Sequence, residues 1–159
     1  MSETIIRKTT SNDVNSLVPL YGEMEVHIRQ ISLDPFVTLG SDWRELTRRY
    51  FTEFSSRDDK LVLVAVKGTD IVGFLTAMIT TTLPIFVERN YGLLNDMFVK
   101  QEYRGKGIGK RLLMTATEWF KQKHMRRLEL RVDARNSEAI SFYEAHGFRI
   151  RSHTLKKEL

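Results

Sequence analysis

The stretch LLNDMFVKQEYRGKGIGKRLL, residues 93–113, contains a mostly apolar run, a turn with three glycines and the start of an amphipathic pattern. The apolar run at residues 93–99 has the length of a strand. After the turn, apolar residues recur at helical spacing to about Lys123. A second strand is expected at residues 126–134, and strand–helix–strand units join parallel strands by a right-handed crossover. The stretch therefore predicts a parallel strand pair connected by one long helix.

The turn between this strand and this helix has the features of an anion-binding site. Gly105, Gly107 and Gly109 let a ligand approach the backbone and permit positive φ. Unpaired N–H groups and the positive end of the helix dipole meet at the same place. A ligand that carries phosphate is therefore expected at residues 104–110. Basic residues surround the glycines: Arg104, Lys106, Lys110 and Arg111.

The spacing of the glycines disfavours two well-known phosphate-binding loops. A Walker A loop would need a glycine at position 104, which is arginine, and Ser or Thr after Lys110, where Arg111 stands. The dinucleotide fingerprint G-x-G-x-x-G also fails, because a single residue separates each glycine here from the next. Nucleoside triphosphates and nicotinamide dinucleotides are therefore disfavoured as ligands.

The rest of the chain completes a pattern of strands and helices in the order β-α-α-β-β-β-α-β-α-β. Pro19 and Gly22 weaken the first helix and leave open a bent or broken one. The last strand is predicted at FRIRSHTL, residues 148–155. No linker, repeat or low-complexity segment interrupts this order. We therefore expect one domain over residues 1–159, with a mixed α/β fold of the α+β type.

The composition of the 159 residues limits the classes of function. The chain has no cysteine, which excludes disulfides and thiolate metal sites, and no other metal-binding pattern appears. It lacks a signal-peptide pattern and any apolar segment near the ~20 residues of a membrane span, so we expect a cytoplasmic protein without a membrane partner. A net charge of +5 permits an anionic partner. Nucleic acid is disfavoured, because neither an RNA-binding aromatic motif nor a helix-turn-helix is found.

Two motifs together resemble the GNAT superfamily of N-acetyltransferases. The stretch DMFVKQEYRGKGIGKRLL resembles its motif A, with Arg104, Gly107 and Gly109 at the matching positions. The stretch LRVDARNSEAISFYEAHGF resembles its motif B, in which an Asn precedes a helix that contains Phe-Tyr and ends at Gly-Phe. The order of strands and helices fits the superfamily across nearly the whole chain. The residues that match motif B are Asn136, Phe142, Tyr143, Gly147 and Phe148.

The resemblance implies the GNAT acyltransferase fold, a mostly antiparallel central sheet with a splayed parallel strand pair, flanked by about four helices. It implies acetyl-coenzyme A as cosubstrate, with the pyrophosphate on the amides of the 104–110 turn. The pantetheine arm would lie along the preceding strand like an extra strand. The implied binding residues are Met97, Phe98, Val99, Arg104, Gly105, Lys106, Gly107, Ile108, Gly109, Lys110, Asn136 and Tyr143.

The resemblance also implies transfer of the acetyl group to a primary amine by direct attack in a ternary complex. The amine must be neutral, whereas an alkyl ammonium has a pKa near ~10.4. Tyr143 occupies the superfamily's usual position for the acid that protonates the leaving thiolate. A backbone N–H near Phe98 or Val99 is the expected donor to the developing oxyanion. The alternative is a coenzyme A-binding sensor with the same fold and no turnover.

The sequence defines the general base less well. Asn95 and Asp96 interrupt an apolar strand, and a buried carboxylate is costly unless it is paired or functional. Alternation places the two side chains on opposite faces unless a bulge intervenes. Many superfamily members carry an acidic residue where this chain has Asn95. Asp96 is our candidate base, and a purely structural pairing of its carboxylate is equally open. Weaker candidates are Glu25, His27 and Glu88.

The acceptor amine is expected to enter between the first two helices and the connection at residues 82–91. Aromatic residues in these segments could line its site, although as a set they are more typical of a core. A protein lysine or N-terminus, a polyamine, an aminoglycoside and a small amino-acid derivative all stay open as acceptors, and so does a homodimer. The aromatic residues are Trp43, Tyr50, Phe86 and Tyr91.

Overall fold

A five-stranded sheet runs through the computed structural model, which describes residues 3–35 and 38–159. The strands lie side by side in chain order. Neighbouring strands are antiparallel except for the last pair, which is parallel. The predicted parallel pair and the predicted mixed fold are thereby confirmed. The strands are β1 (Thr4–Lys8), β2 (Lys60–Lys67), β3 (Asp70–Thr81), β4 (Asn90–Val99) and β5 (Leu128–Leu130).

Helices cover both faces of the sheet, and each face has its own hydrophobic core. The helices are α1 (Val14–Ser32), α2 (Trp43–Ser55), α3 (Ile108–Gln122) and α4 (Ser137–Ala145). On one face α1 and α2 bury Leu17, Leu20, Phe51, Val64 and Phe74. On the other face α3 buries Leu63, Leu75, Leu112, Ala116 and Phe120. Because β2 and β3 are covered on both faces, their sequences are apolar at consecutive positions rather than at alternate ones.

α1 is one unbroken helix, although Pro19 and Gly22 lie inside it. A 3₁₀ turn at Ser11–Asp13 leads directly into its first residue. Gly22 has a packing role, because a Cβ there would lie 2.5 Å from the Trp43 ring of α2. A broken helix, which the sequence left open, is therefore wrong. The glycine instead marks a close contact between two helices.

The strand predicted at FRIRSHTL does not form. After α4, the described chain continues to its end without a strand or helix. Its apolar side chains beyond Phe148 have little cover, with Ile150 62% and Leu155 93% exposed. Arg151 holds the segment beside β5 through a 2.8 Å hydrogen bond to Glu129 Oε1, and this is a side-chain contact. The prediction is wrong because the alternating residues have no buried face to pack against.

β4 and β5 pair over a short length, Gly92–Leu94 against Leu128–Leu130. Gly92 permits this contact, because a Cβ there would lie 2.5 Å from the Leu128 side chain of β5 and 2.6 Å from α3. β5 then ends, earlier than predicted, whereas β4 continues to Val99. The second half of β4 therefore has an open edge, which is the splay expected of this fold.

The pairing of β3 with β4 is interrupted at Asn95. Thr76 pairs with Asp96 and Ala77 pairs with Leu94, so Asn95 has no opposite residue in β3. This is the β-bulge that the sequence left open. It brings the Asp96 side chain to the same face as Thr76, where the two are hydrogen-bonded.

Candidate active site

A cleft of about 540 Å³ lies beside the open edge of β4. Its walls come from α1, the end of β4, the glycine turn, the segment after β5, and α4. Most of the residues that the sequence singled out surround this one cavity. Lys106 does not line it. Those that do are Asp96, Met97, Phe98, Val99, Arg104, Gly105, Gly107, Ile108, Gly109, Lys110, Asn136 and Tyr143.

The glycine turn presents bare backbone to the cleft. Gly105 and Gly107 have φ angles of 71° and 75°, which residues with a Cβ rarely adopt. Gly107 is also the N-cap of α3, so the unpaired N–H groups of the first helical turn begin beside it. Nothing lies within 4 Å of the position that a Cβ of either glycine would take. The turn is therefore an open backbone surface that can accept an anion.

The basic side chains near the turn are divided between the cleft and other contacts. Lys110 and Arg104 line the cleft. Arg111 donates a 2.7 Å hydrogen bond to a carbonyl of β1. Lys106 donates a 2.9 Å hydrogen bond to the Glu102 carbonyl. The positive charge available to a ligand therefore comes from fewer residues than the sequence suggested.

The open edge of β4 offers backbone groups to the cleft. Arg104 Nε donates to the Val99 carbonyl at 2.9 Å, and this carbonyl faces away from β3. The following residue, Lys100, donates its N–H to β3 at 2.9 Å. Backbone groups of successive strand residues point alternately to the two neighbouring positions in the sheet. The N–H and C=O of Met97 and Val99 therefore point to the open edge, and those of Phe98 point to β3. Of the two N–H groups predicted as oxyanion donors, the one on Val99 is thus directed towards the cleft.

Tyr143 lies on α4 with its ring partly buried. The ring packs against Phe142 and Phe148, with centroid distances of 5.2 Å and 5.5 Å. Burial raises the pKa of Tyr143 to about 12, and the negative charge of Asp96 contributes in the same direction. The hydroxyl therefore keeps its proton at neutral pH. It can act as a proton donor in a cleft that it shares with Asp96.

Asn136 has a structural contact in addition to its place in the cleft. Its Oδ1 accepts a 3.1 Å hydrogen bond from the Ala139 N–H, so it is the N-cap of α4. The cap fixes the start of the helix that carries Tyr143.

Asp96 is hydrogen-bonded to two hydroxyl groups. Its Oδ2 accepts from Tyr50 and from Thr76 Oγ1, both at 2.7 Å. Burial and the charge of Asp96 raise the pKa of Tyr50 well above its usual range. The sequence did not link either residue to Asp96, because they belong to α2 and β3 and no short-range pattern connects them.

The weaker candidate bases have different surroundings. Glu25 is half-buried, and burial raises its pKa. His27 lines the cleft, where burial and the neighbouring Arg104 lower its pKa. Glu88 forms an ion pair with Arg126 and lines a second cavity of about 250 Å³ outside the main cleft. Glu88 is therefore separated from the other candidates.

The four aromatic residues predicted near the acceptor do not form one group. Trp43 packs against α1 at Gly22, and Tyr50 contacts Asp96. The Tyr91 ring lies under the Arg127 guanidinium at 4.7 Å. Phe86 is 53% exposed, so its assignment to a core is wrong. The set as a whole is neither a core nor a lining.

One wall of the cleft was missed by the sequence analysis. It is an apolar face of α1 that continues into the cleft beyond the core. The helical spacing of this face was visible, but spacing does not distinguish a core contact from a cavity wall. Its residues are Met24, Ile28 and Ile31, and they lie beside the candidate base His27.

No helix within residues 3–35 and 38–159 is long and apolar enough to cross a membrane. In the same part of the chain, no group of three or more His, Asp or Glu residues is arranged to hold a metal ion.

Comparison with known proteins relates this geometry to a family. A model of the acetyltransferase (GNAT) family matches residues 26–148. An uncharacterised N-acetyltransferase of Archaeoglobus fulgidus is 31% identical over 144 residues, covering 91% of this chain and 92% of the relative. A spermidine N(1)-acetyltransferase of Thermoplasma acidophilum is 30% identical over 146 residues, covering 80% of this chain and 90% of the relative.

Solved structures share the fold. An aminoglycoside N-acetyltransferase in complex with CoA has a TM-score of 0.78 at 16% identity, covering 100% of this chain and 96% of that chain. A Clostridium acetobutylicum protein with acetyl-CoA, described as a predicted acetyltransferase, has a TM-score of 0.79 at 16% identity, covering 98% and 96%. The family model spans most of the chain, and the resemblance found in the sequence is confirmed. The chain belongs to the GNAT family of acetyltransferases.

Proposed function

We propose that the protein transfers the acetyl group of acetyl-CoA to a primary amine by direct attack in a ternary complex. The observation that carries this proposal is a shared cleft. The glycine turn, the open edge of β4 and Tyr143 all line the same 540 Å³ cleft. An anion site, a strand edge and a proton donor are the three elements that a phosphorylated thioester donor requires.

The residues of the cleft fit coenzyme A. The pyrophosphate would lie on the N–H groups at Gly105–Gly109, where φ is positive at Gly105 and Gly107 and no Cβ stands in the way. The pantetheine amides would pair with the backbone of Met97 and Val99 along the open edge. Lys110 would add positive charge near the phosphates. The bound cosubstrate would supply an acetyl thioester at the inner end of the cleft.

Tyr143 is proposed as the acid. When the amine nitrogen bonds to the acetyl carbon, the carbon–sulfur bond breaks and the sulfur leaves with the electron pair. Tyr143 gives its proton to this sulfur, and solvent returns a proton to the tyrosine. The N–H of Met97 or Val99 is the proposed donor to the carbonyl oxygen as it gains charge. The place of Tyr143 in the cleft supports this role, and its pKa, raised to about 12, keeps the hydroxyl protonated at neutral pH.

Asp96 is proposed as the base. It lines the same cleft, and it accepts the proton that the acceptor ammonium must lose before attack. The proton then passes to solvent when the product leaves. After attack the nitrogen carries one proton more than the amide needs, and it gives this proton to solvent as the carbon–sulfur bond breaks, which balances the proton that solvent returns to Tyr143. The products are an N-acetylated amine, a free thiol and the proton that Asp96 passes to solvent.

The acceptor is proposed to be an amine, either a small molecule or an amine on a protein. Among relatives and structural neighbours, one is named for spermidine and another for aminoglycosides. The charge of Asp96 acts on Glu25, so two carboxylates lie near each other, and this favours a positively charged acceptor. The test is a thiol-release assay with acetyl-CoA and a panel of polyamines, aminoglycosides, amino-acid derivatives and peptides.

We expect thiol release to depend on at least one amine class and an acetylated product to appear by mass spectrometry. A protein that binds acetyl-CoA in calorimetry and acetylates none of the panel would contradict the enzymatic proposal. That outcome would favour the coenzyme A-binding sensor. Loss of binding and turnover together in Gly107→Val would connect the activity to the glycine turn.

A further inference from the structure

Asp96 is anchored by two hydroxyl groups on one of its oxygen atoms. Tyr50 and Thr76 each donate to Oδ2 at 2.7 Å, and the two hydroxyl oxygens are 2.9 Å apart. Three oxygen atoms therefore form a closed triangle. Such short contacts to a carboxylate are charge-assisted and stronger than bonds between neutral groups.

The triangle is built from three separate elements of the fold. Thr76 lies on β3 and is fully buried at 0% exposure. Tyr50 lies on α2, with its ring 4.3 Å from the Phe54 ring and 5.4 Å from the Phe51 ring. Asp96 follows the β-bulge of β4. Neither hydroxyl can move without disturbing a packed core, so the orientation of the carboxylate is fixed by the tertiary structure.

The number of protons limits how the triangle can be filled. The two hydroxyls supply two protons for three oxygen–oxygen contacts when Asp96 is ionised. The carboxylate is the strongest acceptor of the three, so both protons are directed to Oδ2. Among the described residues, the hydrogen bonds of Asp96 all fall on this oxygen. The second oxygen belongs to a side chain that lines the cleft.

A role limited to packing explains this arrangement poorly. An apolar residue at position 96, valine at position 76 and phenylalanine at position 50 would fill the same space without desolvating three polar groups. Asp96 instead lines the cleft, where its charge also acts on Tyr143. The other titratable groups that face Asp96 are Tyr21 and Glu25 of α1 and Tyr50 of α2.

We infer that Tyr50 and Thr76 are positioning residues, which hold Asp96 so that its second carboxylate oxygen receives the proton of the acceptor amine. This inference rests on the proposed function, in which Asp96 is the base. The hydroxyls act through Asp96 and need no contact with either substrate. Their removal therefore affects the use of the amine and leaves the binding of coenzyme A unchanged.

The test compares Tyr50→Phe, Thr76→Val and Thr76→Ser with wild type. Loss of one hydrogen bond to a charged group lowers kcat/KM for the amine by about tenfold or more, while the coenzyme A affinity from calorimetry stays the same. Because a hydroxyl donor favours the charged form of its acceptor, the expected readout in Tyr50→Phe and Thr76→Val is an acidic limb of the kcat/KM profile at higher pH. Thr76→Ser keeps the hydroxyl and restores the wild-type profile.

Thr47→Val is the matched control. Thr47 is a buried threonine of α2 at 7% exposure, and it makes no hydrogen bond to Asp96 among those of the described residues. This variant loses a buried hydroxyl on the same helix as Tyr50, so it reports the effect of general destabilisation. Its pH profile is expected to match wild type.

The outcomes separate this inference from the proposed function. The inference is overturned if wild type turns over and the kcat/KM pH profiles of Tyr50→Phe and Thr76→Val coincide with that of Thr47→Val. The enzyme proposal would then stay intact. Absence of turnover with every amine overturns both. A shifted acidic limb in both variants, with rescue by Thr76→Ser and unchanged coenzyme A affinity, supports the positioning role.

Discussion

The glycine turn and Asp96 of the triangle line one cleft, but the turn and the triangle are built in different ways. The turn uses backbone N–H groups from consecutive residues, with positive φ at Gly105 and Gly107. The triangle uses side chains from α2, β3 and β4, whose partners are 46 and 20 residues from Asp96 in the chain. A site made of consecutive backbone groups, such as the proposed phosphate site, can thus be local, whereas a site made of side chains, such as the proposed base with its two hydroxyl partners, depends on packing.

Gly107→Val should disrupt the proposed coenzyme A site at the glycine turn, and we expect it to have the largest effect. A β-branched residue at a φ of 75° is strained by about 1–2 kcal/mol. Its side chain also blocks access of the phosphate to the backbone N–H groups of the turn. Because each hydrogen bond to a charged group contributes about 1.5–3 kcal/mol, we expect coenzyme A affinity to fall by about 100-fold or more. Calorimetric titration with coenzyme A measures this.

Gly40→Val is the control for that substitution. Gly40 lies in an exposed loop, where nothing is within 4 Å of its would-be Cβ and its φ is outside the positive region. Its affinity should equal that of wild type. Normal affinity in Gly107→Val would refute the proposed phosphate site.

Tyr143→Phe tests whether Tyr143 protonates the leaving sulfur. Removal of a proton donor from the leaving group should lower kcat by about 100-fold, with little change in the affinity for acetyl-CoA. Steady-state thiol release measures kcat, and calorimetry measures affinity. Tyr91→Phe, which lies at the second cavity, serves as the control and should keep wild-type kcat. An unchanged kcat in Tyr143→Phe would remove this residue from the mechanism.

Gly109→Ala should lower coenzyme A affinity less than Gly107→Val does, and it tests how closely the ligand approaches the turn. A Cβ at this position would meet the Phe142 ring at 3.6 Å, an ordinary contact, so the fold should persist. The added methyl group narrows the approach to the backbone, and we expect about tenfold weaker coenzyme A binding, equivalent to about 1.4 kcal/mol. Unfolding in urea checks that stability is retained. Equal affinity would mean that the ligand stays away from Gly109.

The smallest expected effect is a dependence of stability on alkaline pH. Burial raises the pKa values of Tyr21, Tyr50 and Tyr143. Above about pH 10, tyrosines of the unfolded chain lose protons that the folded chain keeps, so stability falls as pH rises. Each tyrosine contributes up to about 1.4 kcal/mol per pH unit. Urea unfolding from about pH 9 to about pH 11 should show a smaller slope in Tyr143→Phe. Equal slopes would contradict the buried state of this hydroxyl.

The sequence by itself determined the strand, the glycine turn and the helix that form the proposed donor half of the site. A strand, a turn with alternating glycines and an amphipathic helix follow one another without interruption, so their geometry depends on near neighbours in the chain. The parallel strand pair and the family were predictable for the same reason. The anion-binding role of residues 104–110 stays a prediction that the open turn supports.

The tertiary structure decided the rest. The bulge at Asn95 determines which face of the sheet carries the Asp96 side chain. The packing of α2 places the Tyr50 hydroxyl against that side chain. Both depend on contacts between distant segments, which no local pattern encodes. The failed strand at FRIRSHTL has the same cause, because alternation becomes a strand only when a partner and a buried face are available. Local backbone chemistry is thus visible in the sequence, whereas a network of side chains exists only after folding.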